Sequence, residues 1–384
     1  MLLDYQYVVV GCGFAGATAA RILAEQGNHN ILMIDKRSHL GGNSFDRINQ
    51  HGIAIHQYGP HIFHTDNEEV YAFLSRFTKL NGYIHSVEAK CHDVLLPVPF
   101  NLVSIQRAFG PEKARILEEK LLQTYGENTK VSIFELMNCE DPLLKELGQF
   151  IYENIYYYYT AKQWGNPPDA VSPKVLQRVP VQVSRYSQYF SAKYQGLPEK
   201  GYTDVFEKLV HHPKINCALN TPFDKLFSLK DGKIYFRNKM FEGTILYTGS
   251  LDELFHYQFG VLPYRSMRFC FETYERPWYQ EKGVINYTTS EKFTRITEFK
   301  HMTGQDNPYA TTILKEYPTN FNLSSDLVPC YPIASPASQS LYEKYKDLLA
   351  DYPQIHLAGR LAEYQYYDMD MVIYRAMQLA KSLL

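Results

Sequence analysis

The sequence predicts an α/β protein: a Rossmann-like dinucleotide-binding domain interrupted by an inserted helical domain and an inserted antiparallel β-sheet domain. Three observations carry this. The first residues hold a strand, a glycine turn, a helix and a second strand in order. Capped helical segments then follow one another from about residue 100 to about residue 160 with no strand pattern between them. After Pro263, four strand-like runs succeed one another without helices.

The opening unit reads Tyr7-Val8-Val9-Val10, then Gly11-Cys12-Gly13-Phe14-Ala15-Gly16, an alanine-rich run, and Ile31-Leu32-Met33-Ile34-Asp35. Gly11 allows the tight turn, Gly13 lets backbone approach a pyrophosphate, and Gly16 lets helix and strand pack closely. The phosphates are then expected on the helix N-terminus, at Phe14 and Ala15, where free N–H groups and the macrodipole favour negative charge. Asp35, at the end of the second strand, is placed for a ribose hydroxyl. The spacing predicts a bound adenine dinucleotide.

With 384 residues, the chain is long enough for two or three cores. A net charge of −2 argues against a general nucleic-acid binder, so an anionic ligand must be met by locally placed arginines. The 32 tyrosines favour aromatic-lined pockets. No run is long enough for a membrane span, and the first strand leaves no room for a signal peptide, so a cytoplasmic setting is expected. Six scattered cysteines form no C-x-x-C pair, and neither they nor the histidines make a ligand array; free thiols and no metal are expected.

In chain order, Lys36 and the Gly41-Gly42-Asn43 turn are expected beneath the cofactor, and His61, in Gly59-Pro60-His61-Ile62-Phe63-His64, near its redox ring. Residues 67–80 have helical spacing. Pro111 opens a helix, Ser132 and Glu135 suggest a capping box, and Asp141-Pro142 starts the run into Tyr159. In Tyr156-Tyr157-Tyr158-Tyr159, successive helical side chains point about 100° apart, so some must reach solvent or a ligand. The Pro- and Gly-rich stretch that follows is a candidate mobile lid near 165–178. Thr203 is expected to cap a helix, and Asp231-Gly232 to turn a hairpin. The expected layout is a first FAD-type part at 1–80, a helical domain at 81–195, a second FAD-type part at 196–260, the sheet domain at 261–325 and a closing FAD-type part at 326–384. A strand, a Gly359-Arg360 turn and a helix beginning near Asp368 would bring a helix N-terminus toward the cofactor.

These motifs together resemble the bacterial UDP-galactopyranose mutase family. The resemblance rests on Gly41-Gly42-Asn43, on Tyr58 through Thr65, on Tyr159-Thr160-Ala161-Lys162-Gln163-Trp164-Gly165, on Phe293-Thr294-Arg295-Ile296, and on Gly359 through Met369. It implies FAD, active when reduced, and interconversion of UDP-galactopyranose and UDP-galactofuranose, with flavin N5 as nucleophile at the anomeric carbon. A homodimer and a supply of galactofuranose to surface polysaccharides are implied with it, and neither nucleic acid nor membrane insertion.

The resemblance assigns roles residue by residue. Arg178 on the lid and Arg295 on the sheet are the implied phosphate clamps and catalytic residues, with His61 beside the flavin and Arg265 in support. Tyr159 is implied to stack on uracil, Trp164 to lie beside the sugar, and Tyr189, Tyr317 and Tyr366 to touch phosphate. Asp368 is implied near sugar or flavin, with Arg360, Tyr367 and Met369 completing the cofactor set of Gly11, Gly13, Phe14, Ala15, Gly16, Asp35, Lys36, Gly42, Asn43 and His61. A flavin oxidoreductase shares the first unit and the Gly-Arg turn but leaves the arginines and the Tyr-Trp segment unexplained. A non-catalytic nucleotide-binding module leaves the reacting end of the cofactor without a purpose.

Overall fold

A computed structural model describes residues 5–165 and 180–384. In chain order, β1 (Tyr7–Val10), α1 (Phe14–Gln26) and β2 (Ile31–Ile34) form the opening unit. Next come β3 (Val87–Cys91), β4 (Val94–Val98), α2 (Leu102–Ala108), α3 (Pro111–Tyr125), α4 (Ile133–Asn138), α5 (Pro142–Ile151) and α6 (Tyr158–Trp164). Helix α7 (Gly201–Val210), β5 (Ile215–Ala218) and β6 (Thr244–Tyr247) return to the first domain. Strands β7 (Tyr264–Tyr274), β8 (Val284–Tyr287), β9 (Arg295–Glu298), β10 (Thr311–Asn320), β11 (Tyr331–Pro332) and β12 (Ile355–Leu357) precede α8 (Met369–Ser382).

The dinucleotide domain is a five-stranded parallel sheet in the order β5-β2-β1-β6-β12. Its central strands are apolar on both faces because helices cover both sides. Val9, Ile31 and Met33 pack with α1, α7 and α8, while Val8, Leu32 and Ile34 pack with Leu251, Tyr264 and Tyr345 on the other face. A Cβ on Gly16 would lie 1.9 Å from the Gly11 carbonyl oxygen, so only glycine lets α1 sit this close to β1.

The second sheet has seven strands in the order β11-β7-β10-β9-β8-β3-β4. It is broader than the expected 261–325 domain, because β3 and β4 come from residues expected in the helical insertion. It is also mixed, since β8 runs parallel to β3. Pro97 sits in the edge strand β4, the place where a missing N–H is tolerated, which is why that run did not read as a strand. Among the described residues, the helical insertion shares its core with this sheet: Leu117, Leu121, Leu136, Leu144 and Ile151 pack with Val87, Leu96, Val284 and Leu314.

Local expectations fare unevenly. Asp141 accepts from the Leu143 and Leu144 N–H groups with Pro142 in the first turn, as expected. The hairpin turn at Asp231-Gly232 has both residues at positive φ. Ser132 accepts from Phe134 N–H at 3.3 Å without a capping box, and the helix expected over 67–80 ends at Ser75. Thr203 is not an N-cap. The helix starts at Gly201, and Asp46 caps it from across the chain, accepting from the Tyr202 and Thr203 N–H groups at 2.6 and 2.7 Å. The tyrosine run is divided by a π-helical turn at Tyr152–Tyr157, which leads into α6.

Candidate active site

Where α6, the second sheet and the turn before α8 meet, they enclose a cavity of about 500 Å3. Tyr159, Thr160, Gln163 and Trp164 present one face of α6 to it, while Tyr157, Tyr158, Ala161 and Lys162 face a separate, shallower groove. This division answers the tyrosine question: Tyr156 and Tyr159 turn inward, and Tyr157 and Tyr158 turn outward.

At the dinucleotide end, Gly11 has φ +107°, and a Cβ there would meet Thr248 Oγ1 at 1.9 Å. Gly42 packs against Gly13, so that a Cβ on Gly42 would lie 3.1 Å from Gly13 Cα. Phe14 and Ala15 form the first turn of α1, which carries no side-chain cap. Asp35 Oδ2 accepts from Cys12 N–H at 2.8 Å and Oδ1 from Arg37 N–H at 2.9 Å, fixing the loop and leaving further lone pairs. Lys36 departs from expectation: its ammonium turns outward to pair with Glu253. Arg37 takes the place beneath the cleft. Its Nη2 donates to Asn43 Oδ1 at 2.8 Å, its guanidinium lies 4.6 Å over the Tyr58 ring, and its Nη1 is buried without an acceptor among the described residues. An orphaned cationic donor, a glycine cradle and an uncapped helix start together fit the anionic FAD expected there.

At the cavity's cofactor side stand Asn43, His61, Arg360, Asp368 and Met369. Asp368 is the N-cap of α8, and its side chain caps no N–H of that helix. Arg360 donates to the Cys330 and Tyr367 carbonyls and lies over the Tyr331 and Tyr366 rings, which stack at 5.4 Å. Tyr367 contributes that carbonyl, but its ring packs under Arg375 outside the cavity. His61 Nδ1 bonds the Gly59 carbonyl at 2.8 Å, which assigns the proton to Nδ1 and leaves Nε2 an acceptor. Burial, with His56, Arg360 and Arg295 nearby, pushes the His61 imidazole down to about 3. It is neutral at pH 7.

At the far side, Arg295 Nε donates to Glu316 Oε1 at 2.7 Å. Burial opposes the Arg295 charge, but Glu316 and the nearby phenols hold the guanidinium protonated. Tyr159, Trp164, Tyr189 and Tyr366 line the same space. Burial raises the Tyr159 and Tyr331 phenols well above their ordinary value, so both keep a proton to donate.

Two expected substrate residues are placed otherwise. Tyr317 follows Glu316 along β10 and therefore faces away, beneath Arg268 and against Phe293. Arg265 is buried outside the cavity, its guanidinium spent on the Lys162 and Gln163 carbonyls and the Asn320 side chain. Arg178 lies outside the described residues. In turn, the cavity contains residues that sequence reasoning missed: His85, Asn286, Glu316 and Tyr331. Asn286 is the cross-strand partner of Arg295 and only 8% exposed, and its Oδ1 is without a partner among the described residues. Strand alternation outward from Arg295 was the signal that could have found Asn286 and Glu316.

A sequence profile of the UDP-galactopyranose mutase family matches residues 154–366, and one for NAD(P)-binding Rossmann-like domains matches residues 9–77. The chain is 37% identical to a UDP-galactopyranose mutase of Mycoplasma genitalium, covering 99% of this chain and 95% of that one. It is 35% identical to that of Mycoplasma pneumoniae (99% and 96% covered) and 34% identical to a dTDP-fucopyranose mutase of Escherichia coli (97% of each). The fold is similar to a crystal structure of a reduced UDP-galactopyranose mutase, with a TM-score of 0.71 at 15% identity over 100% of this chain and 94% of that one. The chain belongs to the UDP-galactopyranose mutase family, a family of isomerases.

Proposed function

We propose that this protein is an FAD-dependent isomerase that interconverts UDP-galactopyranose and UDP-galactofuranose and supplies furanose sugar for surface polysaccharides. The carrying observation is one cavity that joins the turn before α8 to a buried guanidinium and protonated phenols. When bound and reduced, FAD supplies a nucleophilic nitrogen, N5, at the anomeric carbon.

The chain's own residues meet the remaining needs. Negative charge grows on the pyrophosphate as UDP leaves. Arg295 is a fixed cation for it, and Tyr159, Tyr189 and Tyr366 offer phenolic donors; each charged hydrogen bond contributes about 1.5–3 kcal/mol. Tyr159 and Trp164 form an aromatic wall for the uracil and sugar, worth about 1–3 kcal/mol per stacked base. His61 is a neutral acceptor held in one tautomer, suited to a cofactor N–H rather than to general-acid work at pH 7. Glu316 orients Arg295 and Asp368 starts α8, whose free N–H groups favour negative charge on the reduced ring. The cytoplasmic setting and the homodimer belong to the same proposal; light scattering in solution tests the second.

Dithionite-reduced protein given UDP-galactose is expected to yield an isomerised sugar nucleotide with no net electron loss. Oxygen consumption that depends on substrate would contradict this and point to an oxidoreductase. The E. coli relative favours a second reading, the same ring interchange on dTDP-fucose. A competition between the two sugar nucleotides separates the readings by their kcat/KM ratio.

A further inference from the structure

Lys162 makes an unusual set of contacts. Its Nζ, on the outward face of α6, lies within hydrogen-bonding distance of four backbone carbonyls, Tyr287 at 2.6 Å, Thr289 at 3.2 Å, Glu291 at 3.0 Å and Phe293 at 3.1 Å, which share its three N–H donors. These carbonyls run from the last residue of β8 through the connection to β9, and the two strands carry Asn286 and Arg295. One ammonium thus gathers every second carbonyl of that loop. Arg265 works on the same helix from below, donating to the Lys162 and Gln163 carbonyls that end α6. The opposite face of α6 holds Tyr159 and Trp164.

We propose that Lys162 is a positioning residue for nucleotide binding: it ties the aromatic helix α6 to the β8–β9 loop and so fixes the gap between Tyr159 and Arg295. This rests on the functional reading above. Charged hydrogen bonds from one half-buried cation, shared among four carbonyls, are strong enough to hold a loop, and loss of the charge turns one donor into a lone pair facing oxygen. Neither Lys162 nor Glu291 lines the cavity.

The charge itself supplies the test. Burial pulls the Lys162 ammonium down to about 8, opposed by the Glu291 carboxylate. Among the described residues, the other charged or titratable groups near it are Arg265, Lys292, Tyr157 and Tyr158, which line the same groove, and Tyr287, whose phenol is raised by burial. Lys162 is therefore charged at pH 7 and loses its proton on passing upward through about 8.

The experiment is calorimetric titration of UDP into the holoprotein from pH 6.5 to 9.5, with K162M, K162R and E291Q, each checked for melting temperature and bound flavin. The wild type is expected to lose affinity above about pH 8, and K162M to bind UDP about tenfold more weakly at pH 7, with KM rising more than kcat falls. E291Q is expected to move the alkaline loss to lower pH, and K162R to keep affinity and move it higher. A purely architectural lysine would alter melting without these shifts. Binding of UDP by K162M at wild-type affinity, or an alkaline limb indifferent to E291Q, overturns the proposal. A wild-type protein that binds no UDP at any pH overturns the functional reading beneath it.

Discussion

Arg295 and Glu316 face each other as direct cross-strand partners on β9 and β10, Nε to Oε1 at 2.7 Å, with the Glu316 carboxylate 1% exposed. The pair sets a cation at the cavity wall and holds its fork in one orientation, because an unpaired buried carboxylate would be costly. Arg295→Ala is expected to reduce turnover by roughly 10- to 100-fold or more while the protein stays yellow. Near-normal kcat/KM in that variant would remove Arg295 from the proposed machinery.

Removing the other partner gives a different signature. Glu316→Gln keeps a hydrogen-bond acceptor but frees the guanidinium from its counter-charge. UDP should bind at least as tightly, with a steeper salt dependence, while kcat falls as Arg295 loses its fixed direction. Titrations at low and high salt check this; unchanged salt dependence counts against Glu316 as the screening charge.

The acid limb of stability follows from three buried imidazoles. Burial lowers His56 to about 4, and His61 and His85 to about 3, from an ordinary value of 6.5. The folded state keeps them neutral, and the unfolded chain takes up protons below about 6.5. Stability from these groups is therefore fully present above pH 6.5 and is lost as pH falls from there toward 3–4. Melting temperatures from pH 7.5 to 4.5 should decline below 6.5, and His85→Asn should flatten the decline. A flat wild-type profile would contradict this.

Gly16→Ala tests the dinucleotide loop. The new Cβ would collide with the Gly11 carbonyl oxygen at 1.9 Å, pushing α1 from β1 and opening the turn that meets the pyrophosphate. The variant is expected to purify colourless and to recover little flavin absorbance with added FAD. A yellow, fully loaded variant would mean the loop does not hold the cofactor.

The two tryptophans report on different places. Trp164 lines the cavity, whereas Trp278 lies on the surface, 4.5 Å from the Lys300 ammonium and 4.4 Å from the His301 ring. Added UDP should change the emission of the Trp278→Phe variant and leave that of Trp164→Phe unaltered. The reverse pattern would place the nucleotide elsewhere.

Much of the fold was legible because its signals are local. The glycines of the first loop, the strand-like run of Tyr264–Tyr274 and the Asp368 start of α8 depend on neighbours in sequence. What was not legible depends on distant partners. Asp46 capping α7, Pro97 on a sheet edge and Arg265 bonding the end of α6 each arise from chain segments far apart. In the site, Tyr159, Trp164, Arg295 and Arg360, singled out from motifs, all line the cavity. Lys36 turns outward to Glu253 while Arg37 turns to Asn43, because adjacent side chains leave the backbone in different directions and the distant Glu253 holds the first. Tyr317 was misplaced for the same reason, one step out of phase with Glu316.

The most direct measurement is the reaction of chemically reduced holoprotein with UDP-galactofuranose under anaerobic conditions, followed by chromatography of the sugar nucleotides and by the flavin spectrum. The account predicts conversion to UDP-galactopyranose over many turnovers, with the flavin still reduced at the end. Recovery of unchanged UDP-galactofuranose, or conversion that stops as the flavin becomes oxidised, would contradict it.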